Sequence, residues 1–134
     1  EHSPEREIGN FPITLTPAGL AHPLFAHFGA MLESGHWHGD MPGLTPAAQV
    51  LATSAGCPRQ IIAYAPRVYG LQCHLEFTPE LVEDLIAASA AELAAHHGRP
   101  FVQTPAQLRR NRYEAMNEAL MGFLDRLAQQ SQAA

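Results

Sequence analysis

Three short stretches of this 134-residue sequence hold side chains able to move protons, bind metal or attack a carbonyl. Gly35-His36-Trp37-His38-Gly39-Asp40 carries two histidines two apart, and Gln72-Cys73-His74-Leu75-Glu76 carries a histidine two residues before a carboxylate. The third, Ser54-Ala55-Gly56-Cys57-Pro58, carries a thiol. Residues two apart on a strand share a face, so His36 is expected beside His38 and His74 beside Glu76. A carboxylate next to an imidazole fixes its tautomer and stabilises the imidazolium, which suits a general base. The same spacing also makes an ordinary ion pair at a strand end, and it leaves both readings open. The other histidines, His2, His22, His27, His96 and His97, read as solvated side chains, the last two well placed near a helix C-terminus.

A base of this kind needs a nucleophile. Cys73 neighbours His74, and adjacent strand residues face opposite ways, so its thiol cannot easily reach that ring. Cys57 lies in a turn without the Gly-x-nucleophile-x-Gly pattern of a strand-to-helix elbow. Both read as small buried or loop thiols. Two cysteines are too few for a disulfide scaffold and fit a reducing cytosol. His36, His38, His74 and Glu76 are also ligand types for Zn²⁺ or Fe²⁺. Against that set, no carboxylate follows the His-x-His at the spacing of small β-barrel metal sites, and two long helices do not suit that fold.

The elements that must position these groups follow from pattern. Phe11–Thr16, Ala30–His38, Gln49–Thr53, Gln60–Ala65 and Tyr69–His74 are short apolar or alternating runs bounded by Pro and Gly, and read as strands. After residue 78 the period becomes helical. Thr78-Pro79 is an N-cap followed by proline, and Leu81, Val82, Leu85, Ile86 and Leu93 form a stripe that runs to about His97. Thr104-Pro105-Ala106-Gln107 has capping-box spacing, and Met116, Leu120, Phe123, Leu124 and Leu127 make the next apolar face. Strands followed by helices indicate an α/β or α+β domain. Hydrophobic residues are 46% and charged residues 16% of the chain, the reverse of a disordered composition. The net charge is −5, every basic residue is Arg, and no basic stripe or long apolar run occurs. A nucleic-acid surface and a membrane span are therefore not expected.

Gln72-Cys73-His74-Leu75-Glu76 resembles the Gln-x-His-Pro-Glu signature of class I, triad-type glutamine amidotransferases. Glu7-Ile8-Gly9 leading into Ile13–Thr16 resembles that family's strand entry, and His36-Trp37-His38-Gly39-Asp40 its Ser-His-Gly-Asp stretch in GMP synthase amidotransferase domains. Leu51–Ser54, Cys57-Pro58 and Gln60 match the next strand and turn. The likeness is nearest to small free-standing GMP synthase-like amidotransferases. It implies an α/β, flavodoxin-like domain seen in its C-terminal portion, a mixed sheet followed by two C-terminal helices: residues 7–97 form the C-terminal half of the amidotransferase domain, and 98–130 a helical extension packing on it. It implies a Cys-His-Glu triad that hydrolyses the side-chain amide of glutamine, with His74 as base and Glu76 as its orienter. The main chain at Trp37, His38 and Gly39 would contact the bound glutamine. Leu75 stands where the family usually has Pro. No cofactor and no metal are implied, and the setting is cytoplasmic. The elbow cysteine belongs to a half that precedes Glu7 in the family, so the expected partner is that N-terminal half, on the same or a separate chain. Alone, this chain is expected to be inactive. A homo-oligomer is compatible with the sequence, and a non-catalytic amidotransferase-like interaction module is the alternative.

Overall fold

The computed structural model describes residues 1–133. Five strands, β1 (His2–Leu15), β2 (Met31–Asp40), β3 (Gln49–Ser54), β4 (Ile61–Ala65) and β5 (Val68–Leu71), form one sheet in the order β2-β1-β3-β4-β5. Helices are α1 (Pro17–Ala21), α2 (Pro79–Ala88), α3 (Ala90–Ala95), α4 (Pro105–Leu108) and α5 (Glu114–Ala133). All four ladders are antiparallel, and the parallel share of the expected mixed sheet is a single bridge, Ile8 to Val102.

β1 is much longer than the apolar run Phe11–Thr16 that announced it. Its first half is polar, yet Glu7 to Asn10 are all buried, because β2 covers one edge while the 54–57 loop and residues 101–103 cover the other. The expected fifth strand is shorter than its pattern. β5 stops at Leu71, and the chain then leaves the ladder: His74 exchanges two main-chain hydrogen bonds with Gly35 of β2, at 3.1 and 2.8 Å. β5 and β2 are the two edges of the sheet. The sheet therefore curls until the segment after one edge strand meets the other. Gly35 permits the meeting, since a Cβ there would lie 2.5 Å from the Phe77 ring and 2.8 Å from the His74 carbonyl oxygen.

The helix starts are where the capping residues put them. Thr78 accepts from the Leu81 N–H ahead of Pro79, and Thr104 and Gln107 close a reciprocal capping box. The helices themselves are broken. The run expected to reach His97 is interrupted at Ser89. The one starting at Thr104 completes a single turn before α5, because residues 111–113 serve tertiary bonds: Asn111 donates to Gln103, the Arg112 carbonyl accepts from Asn10, and the Tyr113 hydroxyl donates to Leu108. Within the expected apolar stripes Leu81 and Leu124 face solvent. Met116, Ala119 and Phe123 join the strands in one core, where the Phe25 and Phe123 rings stack at 4.7 Å. Among the described residues no helix is long and apolar enough to cross a membrane.

Candidate active site

Among the described residues, two histidine–glutamate groups stand on this frame. In the first, His74 Nδ1 donates to Glu76 Oε1 at 2.6 Å. The hydrogen bond from His74, aided by main-chain donors and the imidazole's charge, overrides partial burial and holds the Glu76 carboxyl below the usual carboxylate range. The imidazole lies flat on the Phe77 ring, at 4.7 Å and 7°. Its side chain is 35% exposed. With Nδ1 committed to the carboxylate, Nε2 carries the lone pair of the neutral ring and is open to approach. From behind, Asn117 of α5 donates to the carbonyls of Leu75 and Phe77, at 2.7 and 3.1 Å, which pins the turn carrying both residues.

Beside this pair runs the outer edge of β2. Gly35 turns its N–H and C=O away from β1, toward His74. Strand alternation gives Trp37 and Gly39 the same outward direction, along the same edge past His74. The Trp37 side chain is held by α3: its indole N–H donates to Glu92 at 2.6 Å, and Arg6 donates to the same carboxylate at 2.9 Å. Gly39 has Arg6 packed on it, close enough that a Cβ would lie 2.7 Å from the guanidinium.

The second group is buried and was not legible as a group. His36 and His38 do share a face, but they turn onto Glu7 rather than onto His74 and Glu76. The four-ligand set His36, His38, His74 and Glu76 is therefore not assembled; among the described residues the one convergent set is Glu7, His36 and His38. Glu7 Oε2 lies 3.0 Å from His38 Nε2 and 3.4 Å from His36 Nδ1. It accepts from Gln60 Nε2 at 2.7 Å, while Oε1 accepts from the Ser54 hydroxyl at 2.7 Å and the Gly56 N–H at 3.2 Å. Burial raises the Glu7 carboxyl, but the hydrogen bonds from His38 and Ser54 and the charges of the two imidazoles outweigh it and leave the pKa below the ordinary value. Burial drives His36 the other way for an imidazole, down to about 4 despite the facing carboxylate.

Neither thiol is placed as a nucleophile. Cys73 and Cys57 are free and buried, and burial pushes Cys73 up to about 12. The residues that motif reasoning passed over are Glu7, read only as part of a strand entry, with Gln60, Glu92 and Asn117. Their partners lie far away in sequence. The cross-strand register, which sets Glu7 opposite His38, is the signal that would have found the first of them.

No family model matches the chain. It is 60% identical over 125 residues to a protein of Salmonella typhimurium named "Putative glutamine amidotransferase-like protein YfeJ", covering 93% of this chain and 52% of that one. Over about half of their length, the chain resembles the glutamine amidotransferase-like proteins. Among solved structures it is similar to SMU.1228c, with a TM-score of 0.90 and 52% identity, over 95% of this chain and 54% of the other. A glutamine amidotransferase from Thermotoga maritima shares the fold at a TM-score of 0.76 and 23% identity, over 94% and 52%. The curled antiparallel sheet with its C-terminal helix is thus an α/β arrangement shared with solved glutamine amidotransferases. The chain spans about half the length of the relatives it matches.

Proposed function

We propose that this chain supplies the base, its orienter and part of the substrate-binding edge of a Cys-His-Glu glutaminase centre, and that the nucleophilic cysteine lies in sequence outside these 134 residues. His74 Nε2 takes the thiol proton as sulfur attacks the carboxamide carbon of glutamine. It then gives that proton to the departing nitrogen, so that the tetrahedral adduct breaks its C–N bond, releases ammonia and becomes the thioester. Water, activated by the same nitrogen, hydrolyses the thioester to glutamate and the free thiol. Glu76 holds the tautomer throughout, and the outward main chain from Trp37 to Gly39 receives the substrate. Ammonia passes to an acceptor that this chain does not define. A reducing cytosol suits two free thiols and a thiol nucleophile.

The observation that carries this reading is the 2.6 Å bond from His74 Nδ1 to Glu76 on a side chain that is partly exposed to solvent. That is the posture of a general base. The burial of both thiols supports a nucleophile from elsewhere, as does the match to half of each relative.

The test is glutamate release from glutamine by the full-length gene product. His74→Ala is expected to lower kcat by about 10⁴-fold or more, and Glu76→Gln by roughly 10²–10⁴-fold. Cys57→Ser and Cys73→Ser leave the rate unchanged. A thiol variant that abolishes turnover, or an active His74→Ala protein, refutes the assignment. A full-length protein with no glutaminase activity puts the interaction-module reading first.

A further inference from the structure

The buried group at Glu7 has a hydrogen-bond count that does not close for an ionised carboxylate facing two neutral imidazoles. His36 Nε2 lies 3.0 Å from the Phe11 carbonyl, and His38 Nδ1 lies 3.0 Å from the Asp40 carbonyl. A carbonyl only accepts, so these two nitrogens carry the ring protons, and the remaining nitrogen of each neutral imidazole is a lone pair. Both lone pairs, His36 Nδ1 and His38 Nε2, point at Glu7 Oε2, which is itself an acceptor. His36 is fully buried, and its Nδ1 has no hydrogen-bond partner. Gln60 Nε2 reaches Glu7 Oε2 at 2.7 Å and His38 Nε2 at 3.4 Å, while its own Oε1 is buried without a partner. Arg6, next in sequence, is taken by Glu92. Among the described residues, then, in that protonation state three acceptors face one sealed point beside the Gln60 amide, and no guanidinium or ammonium pairs with the carboxylate.

We propose that Glu7, His36 and His38 form a binding site for one divalent transition-metal ion of the zinc class. Bonds of about 2.0–2.1 Å to a tetrahedral ion set ligand atoms about 3.3 Å apart. The two edges from Glu7 Oε2, at 3.0 and 3.4 Å, bracket that separation, and all three ligand atoms lie within 4.8 Å of one another. The surroundings match a ligand set held for metal. Each imidazole donates its other N–H to a main-chain carbonyl, and the second carboxylate oxygen is fixed by Ser54 and Gly56. Gly56 makes the second contact possible, since a Cβ there would lie 2.8 Å from Glu7 Oε1. Gln60 borders the fourth position. Two imidazoles and one carboxylate favour Zn²⁺, Co²⁺ or Fe²⁺ over Mg²⁺ or Ca²⁺. The ion's place is the sealed side of β2, apart from His74 and Glu76, so this inference stands whether or not the glutaminase reading does.

The experiment uses full-length protein stripped with a chelator and reloaded with Zn²⁺ or Co²⁺ alone. One metal per chain is expected, with Co²⁺ giving the intense visible bands of a four-coordinate ion, and Zn²⁺ raising Tm. His36→Gln and Glu7→Gln are expected to weaken Zn²⁺ binding by more than about 100-fold, whereas His74→Ala leaves it unchanged. Should the buried variants fail to fold, the Co²⁺ spectrum of the unaltered protein decides by its coordination number. Substoichiometric uptake by folded, stripped protein overturns the site. So does a nitrogen NMR spectrum of metal-loaded samples in which the His38 ring keeps both protons, for a proton then occupies the place assigned to the ion. Full metal binding by Glu7→Gln overturns it as well.

Discussion

The molecule uses a histidine and a glutamate twice, and the two uses differ in what surrounds them. Glu7 is sealed and contacts five groups: Ser54, Gly56, Gln60, His36 and His38. Glu76 is half in solvent, and its one side-chain partner is His74. At Glu7 the largest influence is desolvation, which the surrounding donors and imidazoles must outweigh; at Glu76 it is the hydrogen bond itself. A carboxylate sealed in this way is closed to a substrate. One held by a single imidazole leaves that imidazole's far nitrogen available to a substrate. Environment, more than residue type, separates the two roles.

The widest separation should appear in stability. Glu7→Ala strands two buried imidazoles and several donors, and is expected to cost about 3–5 kcal/mol in urea unfolding. Glu76→Ala, losing an exposed pair, is expected to cost about 0–1 kcal/mol. Equal losses would break the comparison.

Next comes the contact that holds the exposed pair to the sheet. Gly35→Ala drives a Cβ into the Phe77 ring and the His74 carbonyl, with an expected cost of about 1–3 kcal/mol. Because the displaced segment carries His74, glutaminase activity of the full-length protein should fall further than stability does. Asn117→Ala frees the carbonyls of Leu75 and Phe77 and is expected to cost about 1–2 kcal/mol. Its finer readout is kcat, which should drop while the Glu7 group, probed by metal uptake, stays intact.

The smallest effect is electrostatic. The Glu76 pKa is lowered in the folded protein, so its contribution to stability is present above the ordinary carboxylate pKa of 4.5 and is lost as pH falls through the depressed value. A carbon-detected NMR titration of Glu76 should show that depressed midpoint, and His74→Ala should return it toward 4.5.

What could be read from the chain beforehand divides along the same line. The pairing of His74 with Glu76 rests on residues two apart, and the caps at Thr78 and Thr104 on residues three apart; local spacing fixes all of them. Glu7 could not be recognised that way. Its ligands come from β2, from the turn after β3 and from Gln60, and only the antiparallel register brings them together. The same limit hid the ends of β1 and β5, whose lengths depend on what lies across from them. It also hid the break after Leu108, where tertiary hydrogen bonds override a continuous helical pattern.

The two hydrogen bonds between Gly35 and His74 have a consequence for motion. They join segments distant in the chain, so they form only once the intervening strands are in register, and closing that loop carries an entropy cost that local contacts cannot offset. Opening them requires uncurling the sheet. The His74 amide should therefore exchange with solvent deuterium on the timescale of global unfolding, even though its imidazole is wetted and free to trade protons. Slow backbone and fast ring chemistry would then coexist in one residue.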